Sequence, residues 1–146
     1  MKKLEVILNT LCLVTFGFVL EGSAKEVFLL LMTLLSFLYL IFGFVFLNGI
    51  RLRKLFKKES YIGVSTLRII GSALAGFSFS SAVLGVLFWV MDYTGTSEML
   101  TIGLVGLVPV LAIAIFKYYQ QTSSFYRDII VRTVIWGGIT AVLFLS

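Results

Sequence analysis

The ionisable side chains that border long apolar runs are the residues of this sequence whose type and position could do chemistry. Glu5 stands near the start of the first run, Arg68 at the start of the third, and Asp128 and Arg132 at the start of the last. Charged groups inside a bilayer are costly and therefore mark ion paths and proton relays. All four stand near a segment end, and Asp128 can pair with Arg132 four residues later. We therefore expect no mid-bilayer carboxylate and no proton relay.

The sequence contains no recognisable set of catalytic or metal-binding residues. It has no His and a single Cys, Cys12, so the usual zinc, haem and iron–sulfur ligand sets cannot be assembled. No paired carboxylates stand at catalytic spacing, and no glycine-rich phosphate loop precedes a lysine. We predict a protein that is not an enzyme and uses no cofactor or metal. A membrane enzyme that needs groups from a partner chain is an alternative.

The composition defines the class of protein. Of the 146 residues, 60% are hydrophobic and only 13% are charged, which is outside the range of soluble domains. The formal net charge of +5 comes from short basic runs beside apolar segments, where Lys and Arg meet anionic lipid headgroups, so we expect no nucleic acid partner. The sequence predicts an all-α integral membrane protein with a single transmembrane domain over residues 1–146.

Five segments are apolar enough to cross the bilayer as helices, each of which needs roughly 20 residues. We predict spans over residues 5–21, 27–49, 66–91, 98–117 and 129–146. The first is the shortest, and Lys2, Lys3 and the small residues 22–24 also fit a cleaved signal peptide. Glu5 interrupts the basic start of such a peptide, so we expect the first span to be retained.

The basic residues predict the orientation of the spans. With the N-terminus in the cytoplasm, every Arg and every Lys except Lys25 falls on the cytoplasmic side, as the positive-inside rule requires. The C-terminus then lies outside. The loop between the second and third spans is the most basic segment, and we expect five of its residues to contact anionic headgroups: Arg51, Arg53, Lys54, Lys57 and Lys58.

Small residues recur along the third span at helical spacing. Five follow one another at alternating steps of four and three, which places them on one face, and three more widen it: Gly71, Ala75, Ser78, Ala82 and Gly85, then Ser72, Gly76 and Ser80. Such a face lets another membrane helix approach closely. We predict a helix-packing surface, and the alternative is a polar path lined by serines.

Three residues inside the predicted spans constrain the packing there. Pro109 removes a backbone hydrogen bond and predicts a kink about one turn earlier in the fourth span. Together with the serines of the third span, this kink supports a small transporter or pore as an alternative function. Tyr39 and Trp136 lie deep in their spans, and we expect their polar atoms to bond to neighbouring helices.

Two hairpins of the sequence are similar and suggest a parallel repeat. Each has a glycine-bearing span end, an outer turn with Gly22 or Gly95, and re-entry after Glu26 or Glu98. The second hairpin, Leu84-Gly85-Val86-Leu87-Phe88 through Gly95 to Met99-Leu100-Thr101-Ile102-Gly103-Leu104, resembles the hairpin of GldL-type gliding-motility proteins and of multi-pass relatives in Bacteroidota-type bacteria.

That resemblance implies a hairpin architecture in a bacterial inner membrane. Proteins of the GldL type are proton-driven motor components with an embedded carboxylate, and residues 102–116 here contain none, so a motor role is not implied. We predict a non-enzymatic inner-membrane protein that acts through helix–helix association, as a homo-oligomer or as a subunit of a membrane assembly, with membrane lipids as further partners.

Overall fold

The described part of the chain consists of five α-helices. The computed structural model describes residues 2–48, 50, 65–121 and 123–146. The helices are α1 (Lys2–Leu20), α2 (Lys25–Leu47), α3 (Thr66–Met91), α4 (Thr96–Gln120) and α5 (Ser124–Leu145). The predicted all-α membrane architecture is therefore confirmed. The predicted headgroup contacts of Arg51, Arg53, Lys54, Lys57 and Lys58 lie outside the described residues and stay a prediction.

All five helices are long and apolar enough to span a membrane. Their bounds differ from the predicted spans mainly at one point, since α5 begins at Ser124 rather than at 129. Ser123 caps this helix, because its hydroxyl oxygen accepts a hydrogen bond from the N–H of Phe125 at 3.3 Å. The first turn of α5 is polar and aromatic, so a prediction from hydropathy alone leaves it out of the span. The helix nevertheless includes this turn, which extends it toward the interface.

The turns α1–α2 and α3–α4 close in the same way. After each helix, two successive backbone N–H groups bond to carbonyls three and five residues back, which is characteristic of a Schellman ending. Gly22 and Asp92 take the left-handed position, with φ of 86° and 55°. Gly95, which the sequence pairs with Gly22, instead precedes α4, as Ala24 precedes α2. The two hairpins thus share a turn geometry but not the register of their glycines.

Helix α3 lies at the centre of the bundle. It packs most extensively against α2 and α4 and also contacts α5, whereas α1 packs mainly against α2. In α3, 61% of the apolar window is buried, compared with 22–33% in the other four helices. Helices in lipid gain little from apolar burial against one another, so a central helix needs side chains that permit close contact. The small residues of the third span meet this need.

On the α2 side, glycines bring two backbones together. A Cβ added to Gly76 would lie 2.6 Å from the carbonyl oxygen of Tyr39 and 3.0 Å from the Cα of Gly43. Nearby, the hydroxyl oxygens of Ser80 and Ser36 are 2.8 Å apart and hydrogen-bonded. Any side chain larger than hydrogen at position 76 would therefore push α2 and α3 apart.

On the α4 side, other small residues of α3 make equally close contacts. A Cβ added to Gly85 would lie 2.9 Å from the backbone nitrogen of Leu100, and one added to Gly103 would lie 2.8 Å from the Cα of Ala82. These contacts lie in the half of the bundle that contains the α3–α4 turn. The two helices are held close at this outer end, where "outer" denotes the side predicted to face away from the cytoplasm.

Candidate functional site

A buried ion pair joins the first and last helices. Arg132 donates from Nε to Glu5 Oε1 at 2.5 Å and from Nη2 to Glu5 Oε2 at 2.6 Å. The two side chains are only 13% and 1% exposed, respectively. This bidentate geometry is among the strongest that Arg and a carboxylate form, and it compensates both charges in a medium of low dielectric constant.

Three polar side chains complete a cluster around this ion pair. The Tyr39 hydroxyl donates to Glu5 Oε1 at 3.1 Å, Trp136 Nε1 donates to Asn9 Oδ1 at 2.7 Å, and Asn9 Nδ2 donates to the Tyr39 hydroxyl oxygen at 3.1 Å. The expectation that Tyr39 and Trp136 find partners on neighbouring helices is confirmed. We call these five residues, which come from α1, α2 and α5, the polar cluster.

The polar cluster gives Arg132 a partner that the sequence does not indicate. The sequence places both near the interface and offers Asp128 as a partner for Arg132. In the structure Nε and Nη2 of Arg132 both bond to Glu5, and Arg132 lies eight residues, or roughly 12 Å, into α5 from Ser124. A pairing rule for one helix considers only neighbours along that helix, so it cannot anticipate a partner from α1.

One sequence signal does point to the polar cluster. Glu5 and Asn9 are four residues apart, as are Arg132 and Trp136, so each pair occupies one helix face. Polar side chains on an apolar helix are costly in the membrane unless they find hydrogen-bond partners, so two such faces on separate helices are expected to contact each other. Every member of the cluster is hydrogen-bonded to another member. This arrangement is suited to holding α1, α2 and α5 together rather than to a reactive site.

A second feature is a cavity of about 630 Å³ between α3, α4 and α5. It extends from Ser65 and Gln121 at the inner end of the bundle, the end predicted to be cytoplasmic, to Ser78 and Gly106. Along α3 this is thirteen residues, or roughly 20 Å. The volume falls within the roughly 300–1,000 Å³ of sites that bind small molecules.

The cavity ends where α3 and α4 come into contact. A Cβ added to Gly106 would lie 2.2 Å from Ser78 Oγ, and the close backbone contacts at Gly103 and Gly85 follow toward the outer turn. Among the described residues, the cavity therefore ends near the middle of the bundle and does not continue as a channel. Pro109 lines it, and α4 runs through this proline without interruption.

One wall of the cavity reaches the lipid-facing surface. Leu74, Phe77 and Ile113 line the cavity and are 62%, 52% and 61% exposed, respectively. These side chains lie within helices that are long and apolar enough to span a membrane, where lipid acyl chains would surround them. A hydrocarbon chain can therefore enter the cavity sideways from the bilayer.

The polarity of the cavity changes along its length. In its deep part, the hydroxyls of Ser72 and Ser78 donate to carbonyl oxygens of their own helix at 2.9 and 3.0 Å. The remaining deep walls are apolar, so this part offers few free donors. At the inner end stand the cations Arg68 and Lys117, and no Asp or Glu of the part of the chain that the structure describes lines the cavity.

Four members of the predicted helix-packing face line this cavity: Gly71, Ser72, Ala75 and Ser78. Ala75 is buried, whereas a Cβ added to Gly71 would have no neighbour within 4 Å. Gly71 thus faces open space instead of a helix. The wall contributed by α5, with Phe125, Tyr126 and Ile129, has no pattern in the sequence that links it to α3.

The fold and these two features define a five-span, all-helical membrane protein with a polar cluster and an intramembrane cavity. Comparison of the chain with known protein families, characterised proteins and solved structures finds no match. The resemblance of the second hairpin to GldL-type proteins therefore stays an expectation. Among the described residues, no three His, Cys, Asp or Glu side chains cluster as a metal site would require.

Proposed function

We propose that this multi-pass membrane protein binds an amphiphilic molecule of the bilayer in the cavity between α3, α4 and α5. The observation that carries the proposal is the cavity itself, of about 630 Å³, which is apolar in its depth and polar at its inner end. An amphiphile has the same division into an apolar chain and a polar head. The lipid-facing wall gives such a molecule a direct route from the membrane.

The small-residue face of the third span, from which the sequence predicts an assembly role, is weaker support for that role once its contacts are known. The small residues of α3 make their close contacts with α2 and α4 of the same chain, through Gly76, Ala82 and Gly85. They consequently provide no argument for a second copy or another subunit. Oligomer formation stays a prediction, to be tested by sizing in native lipid.

A small transporter is the second candidate, and Pro109 in the cavity wall is the observation that favours it. A helix bends most readily where a proline removes a backbone hydrogen bond. Bending of α4 at this point would widen the cavity toward the closed outer half. Transfer of a labelled amphiphile between the leaflets of a reconstituted vesicle would distinguish transport from binding alone.

Filling the cavity tests the proposed function. In a Gly71→Phe variant the ring has open space to enter the cavity, because a Cβ at Gly71 has no neighbour within 4 Å. Gly138→Phe is the matched control, since Gly138 is equally open but does not line the cavity. Delipidated protein is titrated with single-chain lysophospholipids, and bound molecules are counted by native mass spectrometry.

We expect saturable binding of one lysophospholipid to the wild type and to Gly138→Phe, and affinity at least about tenfold weaker for Gly71→Phe, equivalent to roughly 1.4 kcal/mol. Absence of saturable binding to the wild type would overturn the proposal. Equal affinity in Gly71→Phe and the wild type would do the same, because the ligand would then bind elsewhere.

A further inference from the structure

The inner end of the cavity carries an unused hydrogen-bond donor. Arg68 Nε is buried and has no hydrogen-bond partner within the described part of the chain. A buried donor left unpaired is energetically costly, and more so when it is charged. Because Arg68 lines the cavity, a small shift of its side chain would let this nitrogen donate to an acceptor oxygen of a ligand there.

Phe125 fixes the orientation of the same guanidinium group. The Arg68 Cζ lies 3.8 Å from the centroid of the Phe125 ring, which is a cation–π contact. This contact holds the guanidinium beside the cavity that Arg68 lines. A planar donor set held in this way suits the paired oxygens of a phosphate or carboxylate.

Lys117 reinforces the positive charge at this end. It lies in the last turn of α4, lines the cavity, and donates from Nζ to Gln120 Oε1 at 3.2 Å. Among the described residues, no acidic side chain lines the cavity to oppose the two cations. Anionic headgroups are therefore attracted to this mouth, and they lie at the level of the interface where α3 begins and α4 ends.

We infer that the ligand of this cavity is an anionic phospholipid of the inner leaflet. Its phosphate binds at Arg68 and Lys117, and one acyl chain lies along the apolar wall past Ala75 and Val110. This inference rests on the proposed function, because it names the chemical class of the molecule that the cavity binds. The lipid-facing wall accommodates the second acyl chain outside the cavity.

The experiment compares two headgroups on the same acyl chain. Palmitoyl lysophosphatidylglycerol is anionic and palmitoyl lysophosphatidylcholine is zwitterionic, and both are titrated onto the delipidated full chain. Arg68→Gln removes the stacked cation. Arg127→Gln is the matched control, because its side chain is 67% exposed and does not line the cavity. Lys117→Gln provides a second test with little structural risk, since this side chain is only half-buried and its hydrogen bond to Gln120 is exposed.

We expect the wild type to bind the anionic lipid about tenfold more tightly, a ratio that corresponds to roughly 1.4 kcal/mol. Arg68→Gln should abolish this preference, Lys117→Gln should reduce it, and Arg127→Gln should retain it. An excess of inorganic phosphate should not displace the lipid. Displacement by phosphate would identify a site for a soluble anion and overturn the inference.

The outcomes separate this inference from the proposed function. If both lipids bind equally and Arg68→Gln has no effect, the anionic class is wrong, while binding in the cavity stands. If neither lipid binds, the proposed function itself fails. If Arg68→Gln does not fold, the headgroup preference of the wild type and its reduction in Lys117→Gln still decide the question.

Discussion

Glu5 and Arg132 illustrate how two charges are retained inside an apolar bundle. Each is nearly inaccessible, and each neutralises the other through two hydrogen bonds. Tyr39 adds a third donor to the carboxylate, so little of its hydrogen-bonding capacity is unused. Because α1 packs mainly against α2, the ion pair is the principal charged link between α1 and α5 in the described chain. We expect it to fix the position of α1.

Removing one partner of this ion pair should be strongly destabilising. A Glu5→Leu variant leaves Arg132 charged and buried, which costs about 3–5 kcal/mol in comparable buried pairs. The double variant Glu5→Leu with Arg132→Leu should recover most of this loss, because neither charge is then left uncompensated. Thermal unfolding in a mild detergent measures both effects.

Glu26→Gln is the control for this cycle, because Glu26 is an exposed carboxylate at the start of α2. Its effect should stay within about 0.5 kcal/mol, as is usual for surface substitutions. A double variant as unstable as Glu5→Leu would contradict the coupling of the two residues.

At the scale of helices, the close contact of α2 and α3 depends on the absence of two side chains. Gly76 and Gly43 face each other, and a Cβ on Gly43 would lie 2.6 Å from the Cα of Gly76. Backbone atoms cannot move aside as the end of a flexible side chain can. The small-residue pattern therefore indicates a contact within the chain. Disrupting this contact should lower the stability of the protein by a measurable amount.

Gly76→Ala should destabilise the bundle by about 1–3 kcal/mol, the usual cost of overpacking. Gly17→Ala is the matched control, since a Cβ at Gly17 has no neighbour within 4 Å. The control should be neutral or slightly stabilising, because Ala favours helix over Gly by up to about 1 kcal/mol. Thermal unfolding in detergent compares them. Equal melting temperatures for the two variants would argue against the α2–α3 contact.

At the scale of the whole molecule, the direction of the cavity depends on how the chain is threaded through the membrane. Its mouth lies at the end that contains the start of α3, the end of α4 and the start of α5. The positive-inside rule predicts that this end is cytoplasmic. The inferred lipid would then come from the inner leaflet.

Cysteine labelling tests this orientation. In a Cys12→Ser background, Ser97→Cys at the outer turn and Ser146→Cys at the C-terminus should react with a membrane-impermeant maleimide in intact spheroplasts. Gln121→Cys, at the mouth of the cavity, should react only after lysis. Ser97, Gln121 and Ser146 are all exposed, so accessibility reports sidedness. The opposite pattern would reverse the topology and place the cavity in the outer leaflet.

The sequence by itself determined the class of protein, the number of helices and the importance of the third span. These follow from hydropathy and local spacing, which act along the chain: uncharged runs of sufficient length must become helices in hydrocarbon, and Ser78, Ala82 and Gly85 share a face of one helix. Ser123 is of a residue type that often caps helices. The prediction from hydropathy missed it, because the first turn of α5 is polar and the predicted span therefore begins later in the sequence.

Only the tertiary structure decided which residues meet across the bundle. Glu5 lies 127 positions from Arg132 in the sequence, and Arg68 stacks on Phe125 from another helix. The rotation of each helix about its axis and its distance from its neighbours set these contacts, and the composition of a single helix fixes neither. For the same reason Gly71 and Gly76, five residues apart on one predicted face, differ: one borders a cavity and the other touches α2.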